Sequence, residues 1–218
     1  NILIETHGDD AEQDSEKLMA FVEHVMEEGL IPDGDGSILA QSQTQLDALW
    51  SVREGITDAL SSGARESGGK VFKYDLSIPV RHLYDLVAET RVRIDAHVPD
   101  LYDVRYDDYG PDASGARAGA NKVTVVGYGH MGDGNLHLNV LVKSNDAKDV
   151  DRVKNVLEPF VYDWTSERGG SVSAEHGIGV LKSAYLGLSK SQQSIALMAQ
   201  TKAMMDPRCI LNCLLYTS

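Results

Sequence analysis

Two histidines bracket a glycine-rich turn in the stretch Gly127-Tyr128-Gly129-His130-Met131-Gly132-Asp133-Gly134-Asn135-Leu136-His137-Leu138-Asn139. Each glycine inside a helix costs about 1 kcal/mol relative to alanine, so the spacing predicts strand, tight turn, strand. In the second strand, side chains two apart share a face. Asn135, His137 and Asn139 then point one way, and Leu136, Leu138 and Val140 point into a core. The turn folds His130 back toward His137. Two imidazoles converging like this could make half of a divalent-metal site. Two ordinary surface or core histidines fit the same spacing, which is not a zinc-finger pattern.

A second group of ionisable residues lies in Ser173-Ala174-Glu175-His176-Gly177-Ile178-Gly179. Adjacent strand residues face opposite ways, so Glu175 and His176 can share a site only if the strand ends there, and Gly177 permits that ending. Glu175 could complete a His/His/Glu set with an open position, as catalytic zinc requires. His176 could then serve as general base, because imidazole titrates near neutral pH. Taken alone, the motif also fits a surface carboxylate-histidine pair.

The formal net charge of -13 disfavours nucleic acid and anionic membranes as partners. An anionic substrate would therefore need local cations. Arg53 and Thr57 are four apart and share a helical face bordering Leu49 and Ile56. A substrate carboxylate and an internal acidic partner are both candidates for that arginine. Lys73, in Val71-Phe72-Lys73-Tyr74-Asp75-Leu76-Ser77, falls with Asp75 on the face opposite Phe72, Tyr74 and Leu76. It is either a second cationic ligand or a solvated surface lysine.

The elements that must position these residues follow from periodicity. Strands are expected at residues 2–6, 71–78, 123–128, 136–142 and 171–174. Helices are expected at 14–28, 45–60, from Pro79 onward, at 150–164 with an interruption at Pro159, and at 191–205. Residues 96–121, rich in Asp, Gly, Ala and Tyr, read as a long loop. The mixture predicts an α+β fold, with helices on one face of a largely antiparallel sheet. A hydrophobic content of 42% supports a sizeable core. Cys209 and Cys213, confined to the last ten residues, suit a reducing compartment. No apolar run approaches the roughly 20 residues of a bilayer-spanning helix.

Taken together, the motifs resemble the FAD-linked D-2-hydroxyacid dehydrogenase family. The segment from Gly127 to Val140 looks like its GHxGDGNLHxN signature. Ser173 to Gly179 is similar to its second signature, and Asp206-Pro207-Arg208-Cys209-Ile210-Leu211-Asn212 resembles its closing segment. The order and spacing match across nearly the whole chain. Trp50 to Thr57, Lys73 to Val80, Ile2 to Thr6 and Leu83-Tyr84 look most like the members acting on D-2-hydroxyglutarate. The family's closing segment usually continues past its final Asn with Pro and a basic residue, whereas here Cys213 to Ser218 follows.

The resemblance implies a two-domain flavoenzyme in which this chain is a ferredoxin-like substrate domain with a C-terminal helical segment returning to the flavin. It implies zinc bound by His130, His137 and Glu175, substrate held by Arg53, Thr57, Lys73 and Asn139, His176 as base, and Asn212 near FAD. The reaction implied is oxidation of D-2-hydroxyglutarate to 2-oxoglutarate, with an electron-transfer flavoprotein as acceptor and a mitochondrial location. A D-lactate dehydrogenase or glycolate oxidase subunit is the alternative within the family. A zinc hydrolase and a non-catalytic ferredoxin-like binding module are alternatives outside it. We expect the chain to be a piece of a longer protein. Residues 1–142 would form the substrate-binding cap. Residues 143–212 would complete that domain and carry the flavin-proximal segment, leaving 213–218 as a non-native or truncated tail.

Overall fold

The computed structural model describes residues 2–31, 38–105 and 120–212. Most of the loop expected over 96–121, and the whole tail 213–218, lie outside the described residues. The chain forms two compact units, Asn1–Ala59 and Leu60–Ser218.

In the first unit, α1 spans Ala11–Glu27, with Asp10 capping it by accepting from the N–H groups of Glu12 and Gln13. That cap satisfies amides that have no partner inside the helix. Of the apolar residues at helical spacing, Leu18, Val22 and Val25 form its half-buried stripe, whereas Met26 is exposed. The strand expected over residues 2–6 does not form: those residues carry no sheet pairing. Alternating apolar residues give a strand propensity, but backbone amides need a partner strand to make one. Helix α2, Gln43–Ser67, runs seven residues past the expected end at Leu60.

The second unit holds the sheet. Strands β1 (Lys70–Ser77), β2 (Val123–His130) and β3 (Asn135–Val142) form an antiparallel sheet in the order β1-β3-β2. A 3-10 turn over Val80–His82 leads into α3 (Leu83–His97). After β3 come α4 (Ala147–Leu157) and α5 (Phe160–Glu167), interrupted as expected around Pro159, and finally α6 (Gln192–Met205). The fold is α+β. The strand expected over 171–174 is reduced to one antiparallel bridge, Ser171 to Ser77, on the free edge of β1. A full fourth strand there would complete the β-α-β-β-α-β pattern of a ferredoxin-like sheet.

Side-chain alternation divides the sheet cleanly. Phe72, Tyr74, Leu76, Val123, Val125, Leu136, Leu138 and Val140 enter one core with Leu86, Val87 and Ile94 of α3, Val153 and Leu157 of α4, and Val161 of α5. Helix α3 approaches β2 closely at Gly127, where an added Cβ would lie 2.3 Å from Val87 Cγ2. We therefore expect Gly127→Ala to lower unfolding free energy by about 1–3 kcal/mol, the usual cost of overpacking. Thermal unfolding of Gly127→Ala with and without Val87→Ala checks this: the second substitution should recover part of the loss.

Candidate metal and proton-transfer site

The sheet's other face carries the chemistry. In the register, Asp75 pairs with His137 and Tyr128 with His137; Lys73 and Val126 flank Asn139; Ser77 and His130 flank Asn135. Three ranks of side chains, most of them polar, therefore stand on the face away from α3, α4 and α5. A turn built on 3-10 residues Met131–Asp133 joins the two histidine strands, with Gly134 at φ 75°. An L side chain is strained there, and an added Cβ would also lie 2.5 Å from the Ile78 carbonyl oxygen. The turn brings the His130 and His137 rings to 5.6 Å between centroids.

Glu175 arrives from outside the sheet. Its Oε1 lies 3.3 Å from His130 Nε2 and its Oε2 3.7 Å from His137 Nε2. One ligand atom from each of the three residues falls within 4.8 Å of the others. His176 joins them, with Nε2 3.9 Å from Glu175 Oε2 and Nδ1 3.7 Å from Asp75 Oδ2. Glu175 and His176 share the site because segment 172–176 has left strand geometry, the condition the sequence set for them.

Burial tunes these groups. His137 Nε2 is buried and has no hydrogen-bond partner among the described residues. Desolvation holds this imidazole below its ordinary pKa, opposed by the Glu175 and Asp75 carboxylates and reinforced by His130 and His176. A neutral ring with an unpartnered nitrogen is what metal coordination requires. Burial pushes the Asp75 carboxyl up, but hydrogen bonds from the His176 amide, the Asn135 side chain and the Glu175 amide prevail and keep it below the usual carboxylate range. Lys182, donating to the Val172 carbonyl at 3.2 Å, has its pKa lowered by burial against the pull of Asp75.

The other expected site residues are placed as follows. Asn139 is buried on the same face, and its Oδ1 has no hydrogen-bond partner among the described residues. Lys73 is its exposed neighbour across the β1-β3 pair. Arg53 and Thr57 lie one turn apart on α2, within the first unit, and both are half-buried. Asn212 is exposed with φ 52°, just after a turn in which Asp206 accepts from the N–H groups of Ile210 and Leu211. Sequence reasoning gave no role to Asp75, which it saw only as sharing a face with Lys73, or to Asn135, which it placed on one face with His137 and whose Nδ2 donates to Asp75 Oδ1 at 2.8 Å. A carboxylate on the non-core face of a strand was the available signal, but its facing His137 depends on strand pairing.

Residues 1–214 match the family described as FAD linked oxidases, C-terminal domain. The chain belongs to this family. This FAD-linked oxidase domain is 44% identical to a mitochondrial D-2-hydroxyglutarate dehydrogenase of Rattus norvegicus, over 97% of the chain and 33% of that protein. It is 41% identical to the Arabidopsis thaliana mitochondrial D-2-hydroxyglutarate dehydrogenase, over 97% of the chain and 31% of that protein. It is also 43% identical to a putative mitochondrial D-lactate dehydrogenase of Schizosaccharomyces pombe, over 96% of the chain and 35% of that protein. The FAD-linked oxidase domain thus spans about a third of the length of these curated relatives. No helix among its described residues is long and apolar enough to cross a membrane.

Proposed function

We propose that this chain is the substrate and metal domain of an FAD-dependent enzyme that oxidises D-2-hydroxyglutarate to 2-oxoglutarate. The observation that carries the reading is the meeting of Glu175 with His130 and His137 on one face of the sheet, beside His176, in a domain of the FAD-linked oxidase family. The donor set of two imidazoles and a carboxylate, with a buried orphaned nitrogen at His137, fits zinc with a position left for substrate.

Flavin held by a domain outside this chain supplies the hydride acceptor, and zinc supplies Lewis-acid stabilisation of charge developing on the hydroxyl oxygen. His176 takes the hydroxyl proton. Lys73 neutralises substrate carboxylate charge, and Asn139 orients the substrate with its buried amide. Arg53 and Thr57 keep the substrate-holding role given by the motif resemblance, on which alone it rests. Asn212 is assigned to the flavin on the same basis. The mitochondrial names of the relatives support a mitochondrial location, with an electron-transfer flavoprotein as the acceptor.

A D-lactate enzyme is the second reading, favoured by the Schizosaccharomyces pombe relative. Anaerobic flavin reduction by the intact enzyme, compared across D-2-hydroxyglutarate, D-lactate and glycolate, separates them. We expect the highest kcat/KM with D-2-hydroxyglutarate, and preference for D-lactate would overturn the substrate assignment. We expect the isolated chain to show neither flavin absorbance nor turnover. Hydrolytic activity without flavin would favour a zinc hydrolase instead.

A further inference from the structure

Segment 172–176 carries two functional side chains, yet no strand ladder holds it. Its entry is fixed by the bridge between Ser171 and Ser77. Beyond that, the Val172 N–H donates to Ser189 Oγ at 3.1 Å, and the Ala174 N–H is shared between the Asp75 backbone carbonyl at 3.3 Å and Asp75 Oδ2 at 3.2 Å; the same Oδ2 accepts from the N–H groups of Glu175 at 2.8 Å and His176 at 2.8 Å. Successive amides converging on one oxygen curl the backbone around it, in the manner of an anion-binding nest. Asp75 Oδ1 is tied to Asn135 Nδ2 at 2.8 Å and lies 3.7 Å from His137 Nε2. The Asp75 side chain is 4% exposed, so its charge is stabilised by these donors rather than by water.

We propose that Asp75 is the positioning residue of this site. By gripping the backbone at 174–176 from beneath, it turns the Glu175 carboxylate toward His130 and His137 and stands the His176 ring beside them. The cation set is thereby preorganised across two chain segments that no ladder joins. This inference rests on the metal reading given above. It differs from a packing role because the bonds converge on functional residues: Asp75 touches the amides of Glu175 and His176, and it lies across the pair from His137. Groups that orient metal ligands from outside the coordination sphere typically change metal affinity by about 10–100-fold when removed.

The test uses the intact enzyme and its Asp75→Asn and Asp75→Ala variants. Zinc affinity is read by chelator competition, and kcat and KM are measured at saturating and at limiting zinc. We expect Asp75→Asn to bind zinc about 10–100-fold more weakly. Its kcat should fall while KM stays within about threefold, the pattern of a lost transition-state arrangement. Excess zinc should restore occupancy in Asp75→Asn but not in His137→Ala. Wild-type zinc affinity and kcat in both Asp75 variants would overturn the inference and leave the metal reading intact. A wild-type enzyme that binds no zinc would instead overturn the metal reading. Hydrogen exchange on the wild-type, metal-stripped protein covers the case in which both variants misfold. The amides of residues 174–176 should be protected although they lie outside any strand, and unprotected exchange there would also overturn the inference.

Discussion

His137→Ala in the intact enzyme should abolish stoichiometric zinc binding, from one ion per chain to none by elemental analysis. His137 lies on β3, the central strand, where the ladder on both sides fixes its Cα. Its side chain is 15% exposed, and its ring packs edge-on against Tyr128 and His130. Truncation removes one of the three ligand atoms that lie within 4.8 Å of one another and leaves only His130 and Glu175 of that set. The loss in affinity should exceed the roughly 10–100-fold range of outer partners, because a ligand itself is gone. His97→Ala is the control. That histidine bonds the Arg93 carbonyl on α3, so its removal should leave zinc content unchanged. Unchanged zinc in His137→Ala would remove His137 from the ligand set.

His176→Asn should separate proton transfer from metal binding. The His176 backbone is held through its own N–H to Asp75, so replacing the side chain does not release the segment. The side chain is 66% exposed, and little packing is lost. We expect zinc content to stay at one per chain and kcat to fall by about 10²–10⁴-fold, the usual contribution of a positioned general base. A kcat close to wild type would exclude His176 as base, and zinc lost in step with kcat would make it a ligand instead.

Both predictions depend on local and non-local placement in different degrees. The convergence of His130 and His137 was legible in the sequence because a two-strand hairpin with glycines at its turn is a short-range structure. Gly134 takes the left-handed conformation that the turn needs, and alternation on β3 then fixes which residues share a face. The helices were legible too, with boundary errors where packing extends them, as in α2. The strand expected at residues 2–6 failed for the opposite reason: a strand is a property of two segments, and its partner cannot be read from its own residues.

The sequence by itself determined the two histidines on one face, the helical periods, the family signatures and the need for Glu175 and His176 to lie where a strand ends. Tertiary structure alone decided that Glu175 reaches the histidine pair, and that a buried aspartate 100 residues earlier in the chain holds it there. The physical reason is range. Alternation and turn propensity act over a few residues and leave a trace in spacing, whereas the grip of Asp75 on three amides exists only after β1, β3 and the segment beyond Ser171 have been brought edge to edge.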